Sequence, residues 1–135
     1  MYEVRVEADF AAAHFLKDYH GKCENLHGHN YQVFAHARGS ELDEGGMLLD
    51  FTQLKGALRA VCKKVDHTNL NDLVDEVSGE LVFKNNPSAE RIATWIFHQI
   101  EQQLEADPAT RGTARLLYAV DVFETPTSRA RYIRD

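Results

Sequence analysis

The spacing of apolar residues changes along this chain from that of strands to that of helices and back, and this change restricts its fold. Apolar and polar residues alternate in YEVRVEADFAAAH (2–14), and strand character returns in LHGHNYQVFAHARG (26–39). Alternation with a period of two is typical of half-buried strands. The segments ARLLYAVDVFE (114–124) and RARYIRD (129–135) predict two further strands around a turn at 125–128.

Two helices are predicted between the second and third strands. The first begins after Asp50, whose side chain can cap a helix, and Gln53 is placed to complete a capping box. Its apolar stripe consists of Leu54, Ala57, Leu58, Val61, Cys62 and Val65. The second begins near Pro87 or Ser88, and its inward side chains are Ile92, Trp95, Ile96, Ile100 and Leu104. The order ββααββ predicts an α+β fold with both helices on one face of a four-stranded antiparallel sheet.

The size, charge and cysteine content of the chain narrow the classes of protein to which it can belong. Its 135 residues are predicted to form one domain, 1–135. A net charge of -6 argues against a nucleic-acid-binding protein, because phosphate neutralisation requires a basic surface. No apolar run approaches the ~20 residues needed to cross a bilayer, and the first residues lack a signal-peptide core. The only cysteines are Cys23 and Cys62, which indicates a cytoplasmic protein with reduced thiols, although the two could also form a disulfide.

The tripeptide His27-Gly28-His29, on the second predicted strand, is a candidate metal site. Residues two apart on a strand point to the same face, so both imidazoles project together, and Gly28 keeps the backbone between them unobstructed. His14, at the end of the first strand, could supply a third ligand. Three neutral imidazoles suit zinc, and a catalytic zinc site uses three protein ligands with one position open. The alternative is that the two histidines are a chance feature of a polar strand.

Other residue types near this tripeptide could carry proton transfer. Cys23 lies in a polar loop four positions before the first histidine. A thiol near a cation has a lowered pKa and can act as a base or nucleophile, but it could also be a metal ligand. In VDHTNLND, at the end of the first helix, Asp66 stands next to His67 and could orient it for proton transfer. No chemical role is predicted for the remaining histidines, which are His20, His36 and His98.

Taken together, six short motifs give the chain a resemblance to a known family. FAAAH, CENLHGH, LLDF, VDHTNLN, NPSAE and VFETPTSRARY follow the order of the 6-pyruvoyl- and 6-carboxy-tetrahydropterin synthase family, over nearly the whole chain. The spacing Cys-x-x-x-His-Gly-His resembles the 6-carboxy branch, which feeds queuosine and other deazapurines. Two local departures are Pro-Ser-Ala-Glu in place of the more frequent Pro-Thr-Ser-Glu and a longer segment at 73–86.

The resemblance implies the tunnelling fold, in which subunits join their sheets into a barrel and form a homo-oligomer, usually a hexamer of two trimers. It implies zinc bound by three histidines, namely His14, His27 and His29. Cys23 would be the catalytic thiol, and Asp66 with His67, supplied by a neighbouring subunit, would complete its proton relay. Glu124 matches the carboxylate that anchors the pterin ring.

The implied reaction is a zinc-dependent lyase reaction on 7,8-dihydroneopterin triphosphate. The product would be 6-carboxy-5,6,7,8-tetrahydropterin, formed with release of acetaldehyde and triphosphate. Alternatives within the family are a 6-pyruvoyl-tetrahydropterin synthase and a folate-pathway paralogue, since Glu24 resembles a glutamate that folate-type relatives use in this region. Outside the family, the alternatives are a zinc-dependent hydrolase, which should not need Cys23, and a non-catalytic metal- or pterin-binding module.

Overall fold

The computed structural model describes residues 1–135, in the order strand, strand, helix, strand, helix, strand, strand. These elements are β1 (Tyr2–His14), β2 (His27–Gly39), α1 (Phe51–Val65), β3 (Thr68–Asn69), α2 (Ala89–Ala106), β4 (Leu117–Thr125) and β5 (Ser128–Ile133). Three short 3-10 helices lie between them, at Lys22–Glu24, Leu70–Asp72 and Arg111–Leu116. Neither α1 nor α2 combines the length and the apolar character that a membrane crossing requires.

The sheet contains five strands in the order β3-β1-β2-β4-β5, so the predicted four-stranded antiparallel sheet is wrong in strand number and direction. The four long strands pair with one another in antiparallel fashion, as predicted. The additional strand, β3, is parallel to β1 and pairs with Ala12 and Ala13. A strand of two residues cannot show an alternating pattern. A backbone hydrogen bond just before β3 sets this pairing: the His67 N–H donates to the Ala11 carbonyl oxygen at 2.6 Å.

Local sequence signals fix where both long helices begin. Asp50 accepts a hydrogen bond from the Thr52 N–H at 2.8 Å, and Ser88 accepts one from the Arg91 N–H at 3.3 Å. All six residues of the predicted α1 stripe are buried. The predicted inward positions of α2 are buried as well, except Trp95, which is partly exposed and packs against the edge of the core.

Both helices pack on one face of the sheet, and the buried apolar residues between these two layers form a single cluster. Alternate residues of β1 and β2 contribute to it, because every second side chain of a strand faces the helices. The same alternation continues to the end of the sheet, where His14 and His27 are opposite each other. The fold therefore places these two histidines on the helix-facing side, beyond the apolar core.

Candidate active site

Three histidine side chains converge where β1 ends and β2 begins. His14 is opposite His27 in the antiparallel pairing, and Ala12 is opposite His29. One ring nitrogen of each histidine lies within 4.8 Å of the others. His14 is 1% exposed, whereas the other two are partly exposed. The structure thus brings together the three residues that were expected to bind zinc, and we call them the histidine cluster.

Backbone carbonyl groups fix the orientation of two of these rings. His14 Nδ1 is 2.8 Å from the carbonyl oxygen of Pro87, and His27 Nδ1 is 2.7 Å from that of Asn25. A carbonyl oxygen can only accept a hydrogen bond, so each Nδ1 carries a proton, and in the neutral ring each Nε2 presents a lone pair. Histidines that bind metals typically donate their other ring N–H in this way.

The two Nε2 atoms, which carry no proton when both rings are neutral, lie 3.1 Å apart. Two lone pairs that face each other at this distance repel, unless a cation lies beside them. A proton shared between the two Nε2 atoms would relieve this repulsion for two rings. A metal ion would relieve it and bind the third imidazole, that of His29, as well. Three neutral nitrogens fit the donor set of a catalytic zinc site, which has three protein ligands and an open position.

Burial and the neighbouring groups together shift the pKa of His14. Burial is the largest effect and lowers its pKa, and the neighbouring His27 and His29 lower it further. The Pro87 carbonyl and the Glu124 carboxylate raise the pKa without restoring the ordinary value. The neutral form that results is the one that binds metals. Glu124 Oε1 is 3.7 Å from His14 Nε2. The carboxylate expected to anchor a pterin ring therefore lies beside the histidine cluster.

Cys23 lies in the 3-10 helix Lys22–Glu24, within the loop that connects β1 to β2. Its side chain is partly exposed, and its carbonyl oxygen accepts a hydrogen bond from the Leu16 N–H at 2.7 Å, which joins the two arms of the loop. The group of converging ligand atoms contains the three histidines and not this thiol. Cys62 is buried in α1, forms no disulfide, and has a pKa raised by burial to about 12.

Asp66 and His67 occupy an exposed edge of the sheet directly after α1. Asp66 Oδ1 accepts a hydrogen bond from the Ala11 N–H at 2.9 Å, and Oδ2 is 2.9 Å from His67 Nδ1. The bond from Ala11, followed by that from His67, lowers the pKa of Asp66, so its carboxylate fixes the proton on Nδ1 and leaves Nε2 available. The His67 side chain is 83% exposed. The structure does not bring this pair into the histidine cluster of its own chain.

Tyr31 also lies near this centre, although no motif pointed to it. It is two positions after His29 on the same face of β2, it is fully buried, and its ring stacks on Phe10 at a centroid distance of 4.8 Å. Burial and, to a smaller extent, the Glu124 charge raise the pKa of its hydroxyl. The alternation that groups His27 with His29 extends to this residue and is the signal that could have identified it.

This arrangement belongs to a chain with recognisable relatives. A family model described as 6-pyruvoyl tetrahydropterin synthase matches residues 3–135. The chain belongs to this family. It is 36% identical to the 6-carboxy-5,6,7,8-tetrahydropterin synthase of Synechocystis sp., over 98% of this chain and 93% of that protein. It is also 36% identical to the dihydroneopterin monophosphate aldolase of Pyrococcus furiosus, over 74% of this chain and 75% of that protein.

The solved structure of the Caenorhabditis elegans 6-pyruvoyl tetrahydropterin synthase has the same fold. Its TM-score with this chain is 0.81 at 29% sequence identity, and the match covers 99% of this chain and 96% of that one. The family resemblance that the six motifs predicted is therefore confirmed, as is an α+β tunnelling fold with two main helices. The relatives include synthases of two different products and an aldolase, so family membership alone does not select the product.

Proposed function

We propose that this chain is a zinc-dependent 6-carboxy-5,6,7,8-tetrahydropterin synthase that acts in queuosine or other deazapurine biosynthesis. It would convert 7,8-dihydroneopterin triphosphate to that product with release of acetaldehyde and triphosphate. The observation that carries the proposal is the 3.1 Å separation of the His14 and His27 Nε2 atoms, whose rings both hold their protons on Nδ1. In a member of this family, such a pair beside a third histidine supports a bound metal ion. The spacing of Cys23 from the His-Gly-His motif favours the 6-carboxy product.

The histidine cluster and Glu124 are assigned to binding and orienting the substrate. When bound, zinc supplies Lewis acidity toward oxygen atoms of the substrate side chain. Glu124, 3.7 Å from His14, can accept hydrogen bonds from the amino and ring N–H groups of the pterin. Each such charge-assisted bond contributes about 1.5–3 kcal/mol. The ring would thus be held so that its side chain lies next to the three imidazoles.

Cys23 is assigned to proton transfer, because its sulfur lies outside the converging ligand atoms. The thiolate would take up and return protons on the carbon atoms of the substrate side chain, a contribution of ~10²–10⁴-fold to the rate. Cys23→Ala should therefore keep its zinc and pterin affinity and lose about that factor in turnover. Cys62→Ala is the matched control, since it removes a thiol that has no assigned role. Loss of zinc from Cys23→Ala would instead make Cys23 a ligand.

Asp66 and His67 are assigned to the active site of a neighbouring subunit. The pair is exposed in its own chain, and the carboxylate holds the imidazole with Nε2 available for a proton. The sheet can also continue into a second copy, because β5 is an edge strand and β1 pairs with β3 only at Ala12 and Ala13. These features support a homo-oligomer with shared sites, for which the family resemblance implies a hexamer of two trimers.

Subunit mixing tests the shared site. Inactive Cys23→Ala and His67→Ala chains are unfolded, combined in equal amounts and refolded together. A site is intact only when its cysteine comes from a His67→Ala chain and its histidine from a Cys23→Ala chain. These two independent halves predict recovery of about a quarter of wild-type activity in a closed ring. Mixed oligomers, verified by mass spectrometry, that show no gain in activity would contradict the shared site.

Mass analysis of the products formed from 7,8-dihydroneopterin triphosphate tests the function itself. Formation of 6-carboxytetrahydropterin with an equimolar amount of acetaldehyde supports the proposal. Release of phosphate without change to the side-chain carbons would indicate the zinc-dependent hydrolase instead. Binding of the substrate without turnover would indicate the pterin-binding module.

Glu24 favours one second candidate, an aldolase-type reaction on a substrate of the same class. Its exposed carboxylate lies on the same 3-10 helix as Cys23, and a relative with 36% identity is named a dihydroneopterin monophosphate aldolase. A carboxylate can act as a general base on such a substrate. If Cys23→Ala retains near-normal turnover and the double variant with Glu24→Gln loses it, this candidate is supported.

A further inference from the structure

The loop that carries Cys23, residues 15–26, contains no buried residue, so apolar packing contributes little to its conformation. Two of its residues, Asp18 and His20, have φ values of 62° and 59°. This region is disfavoured for residues other than glycine, and such a conformation persists only where surrounding contacts impose it. The position of Cys23 therefore depends on the hydrogen bonds that hold the loop.

Two asparagine side chains hold the first arm of this loop, residues 15–17. Asn71 accepts a hydrogen bond from the Phe15 N–H at 2.9 Å and donates one to the Phe15 carbonyl oxygen at 3.0 Å. Asn86 makes the same two bonds with Lys17, at 2.7 Å and 2.8 Å. A carboxamide can both donate and accept, so each side chain bonds the backbone as a neighbouring strand would. We call Asn71 and Asn86 the anchoring asparagines.

The residue between these two contacts connects the arm with Cys23. The Leu16 N–H donates to the Cys23 carbonyl oxygen at 2.7 Å. Residues 15, 16 and 17 thus bond one anchoring asparagine, Cys23 and the other anchoring asparagine in turn. A displacement of this arm would displace Cys23 with it, because no buried residue in the loop resists the movement.

Asn86 also lies next to the group that orients a ring of the histidine cluster. Pro87 follows it in the chain, and the Pro87 carbonyl oxygen is 2.8 Å from His14 Nδ1. The Asn86 carbonyl oxygen accepts hydrogen bonds from the Ser88 N–H at 2.9 Å and from Arg91 at 3.1 Å. One short segment before α2 therefore holds both the His14 ring and the loop that carries the thiol.

We propose that Asn71 and Asn86 are positioning residues for Cys23, which hold its loop so that the thiol lies beside substrate bound at the histidine cluster. The inference rests on the proposed function, because it takes Cys23 as the group that transfers protons. A misplacement of about 1 Å can cost a reaction roughly 10²-fold in rate. Removal of either amide should therefore slow turnover and leave the binding of zinc and pterin unchanged.

A double-mutant cycle separates positioning of the thiol from a general structural role. Asn71→Ala and Asn86→Ala should each lower kcat roughly 10- to 100-fold, with KM and zinc content unchanged. In the Cys23→Ala background, neither substitution should change the residual kcat by more than about 2-fold, because there is no thiol left to position. Asn85→Ala is the matched control, since this neighbouring side chain is exposed and makes none of these bonds. It should keep wild-type kcat.

Hydrogen exchange of the ligand-free protein, measured by mass spectrometry, gives a readout that is independent of activity. Exchange in residues 15–26 should be faster in both asparagine variants than in Asn85→Ala, and unchanged exchange would overturn the inference.

The kinetic outcomes distinguish this inference from the proposed function. Wild-type kcat in both single variants, or an equal loss with and without Cys23, would overturn the inference and leave the proposed function standing. A variant that does not fold or loses zinc would show a structural role for that asparagine and overturn its assignment, and the other asparagine, on a different segment, is tested separately. Near-normal kcat in Cys23→Ala would overturn the role of the thiol and this inference together.

Discussion

Strand β2 carries histidines near both of its ends, and their surroundings differ. Near its start, His27 and His29 join His14 on the helix-facing side, where their ligand nitrogens converge within 4.8 Å. Backbone carbonyls hold the Nδ1 protons of His14 and His27, so the lone pairs of their Nε2 atoms face each other. This end of the strand offers electron pairs to a cation.

Near the other end of β2, His36 belongs to an ion-pair network on the opposite face. Its Nε2 is 2.8 Å from Asp121 Oδ2, and Arg131 binds the same carboxylate through two nitrogens at 2.6 Å and 2.9 Å. Burial alone would raise the pKa of Asp121, but the hydrogen bonds from Arg131 and His36 hold it below its ordinary value. This histidine faces a negative charge that is already balanced by a guanidinium group.

The contrast shows what distinguishes a candidate ligand histidine from a structural one in this chain. Burial does not, because His14 and His36 are both buried. The surroundings of the second nitrogen do: His14 Nε2 converges with nitrogens of two further imidazoles, whereas His36 Nε2 faces a carboxylate that Arg131 already balances. The two regions should therefore respond differently to substitution and to acid.

His29→Ala should have the largest effect, and it should be confined to the histidine cluster. The variant should bind far less than the expected one zinc per chain, and kcat/KM should fall about 10³-fold or more, because several kcal/mol of charge stabilisation are lost. Metal analysis and steady-state kinetics on the same sample check this. His36→Ala is the matched comparison and should keep its zinc. Full zinc occupancy in His29→Ala would remove His29 from the ligand set.

Asp121→Asn should have the next largest effect and should act on stability. It leaves the Arg131 charge unbalanced, and the free energy of unfolding should fall by about 3 kcal/mol. This is at the low end for a buried pair, because the Arg131 side chain is 28% exposed. The zinc content of the folded protein should be unchanged. Chemical denaturation and metal analysis test both statements, and a parallel loss of zinc would show that the two regions are coupled.

Acid should destabilise the two regions of the metal-free protein in different pH ranges. Folded His14 has a pKa below the ordinary 6.5, so the unfolded chain takes up this proton first, and stability is lost as the pH falls below that value. Asp121 has a pKa below the ordinary 3.8, so the stability from its ion pairs is present above that pH and lost below it. Each proton accounts for at most about 1.4 kcal/mol per pH unit.

Denaturation curves between pH 8 and pH 3 can separate these two contributions. His14→Gln should reduce the slope of stability against pH just below 6.5, and Asp121→Asn should reduce it below 3.8. Unchanged slopes in both variants would mean that other groups control the acid response.

Much of the fold could be predicted because its signals are local. Strand alternation and helix stripes correspond directly to burial, and the caps at Asp50 and Ser88 mark the helix starts. The strand β3 could not be predicted from its own two residues. β3 is held beside β1 by hydrogen bonds that Asp66 and His67 form with Ala11, which is 55 positions from Asp66. A contact of that sequence separation leaves no periodic pattern in either segment.

The candidate site could be predicted in its residue types but not in its proton positions. The His-Gly-His spacing and the place of His14 at the end of the first strand made His27 and His14 candidate ligands, yet the tautomer of His14 depends on the carbonyl of Pro87, 73 positions away. No sequence pattern reports which carbonyl a ring will meet. The place of His67 outside the histidine cluster of its own chain was expected only from the family resemblance, and its side chain is 83% exposed.

Gly28→Ala should have the smallest effect, and it tests how much of the His-Gly-His motif the proposed metal site needs. Gly28 was expected to keep the backbone between the two ligands unobstructed. By strand alternation it points away from His27 and His29, and a Cβ there would meet the Ala12 carbonyl oxygen at 3.6 Å, an ordinary contact. Its φ is also outside the positive range that favours glycine.

An alanine at this position should therefore leave zinc content unchanged and raise the free energy of unfolding by about 0.4–1 kcal/mol, because it restricts the unfolded chain. Metal analysis and chemical denaturation measure the two quantities, and Gly46→Ala is the contrasting control. Gly46 has a φ of 79°, so alanine should be destabilising there without any effect on zinc. If Gly28→Ala lost zinc while it stayed folded, the ligand geometry would depend on the backbone between the two histidines. The histidine cluster would then be defined by strand conformation as well as by the partners of its ring nitrogens.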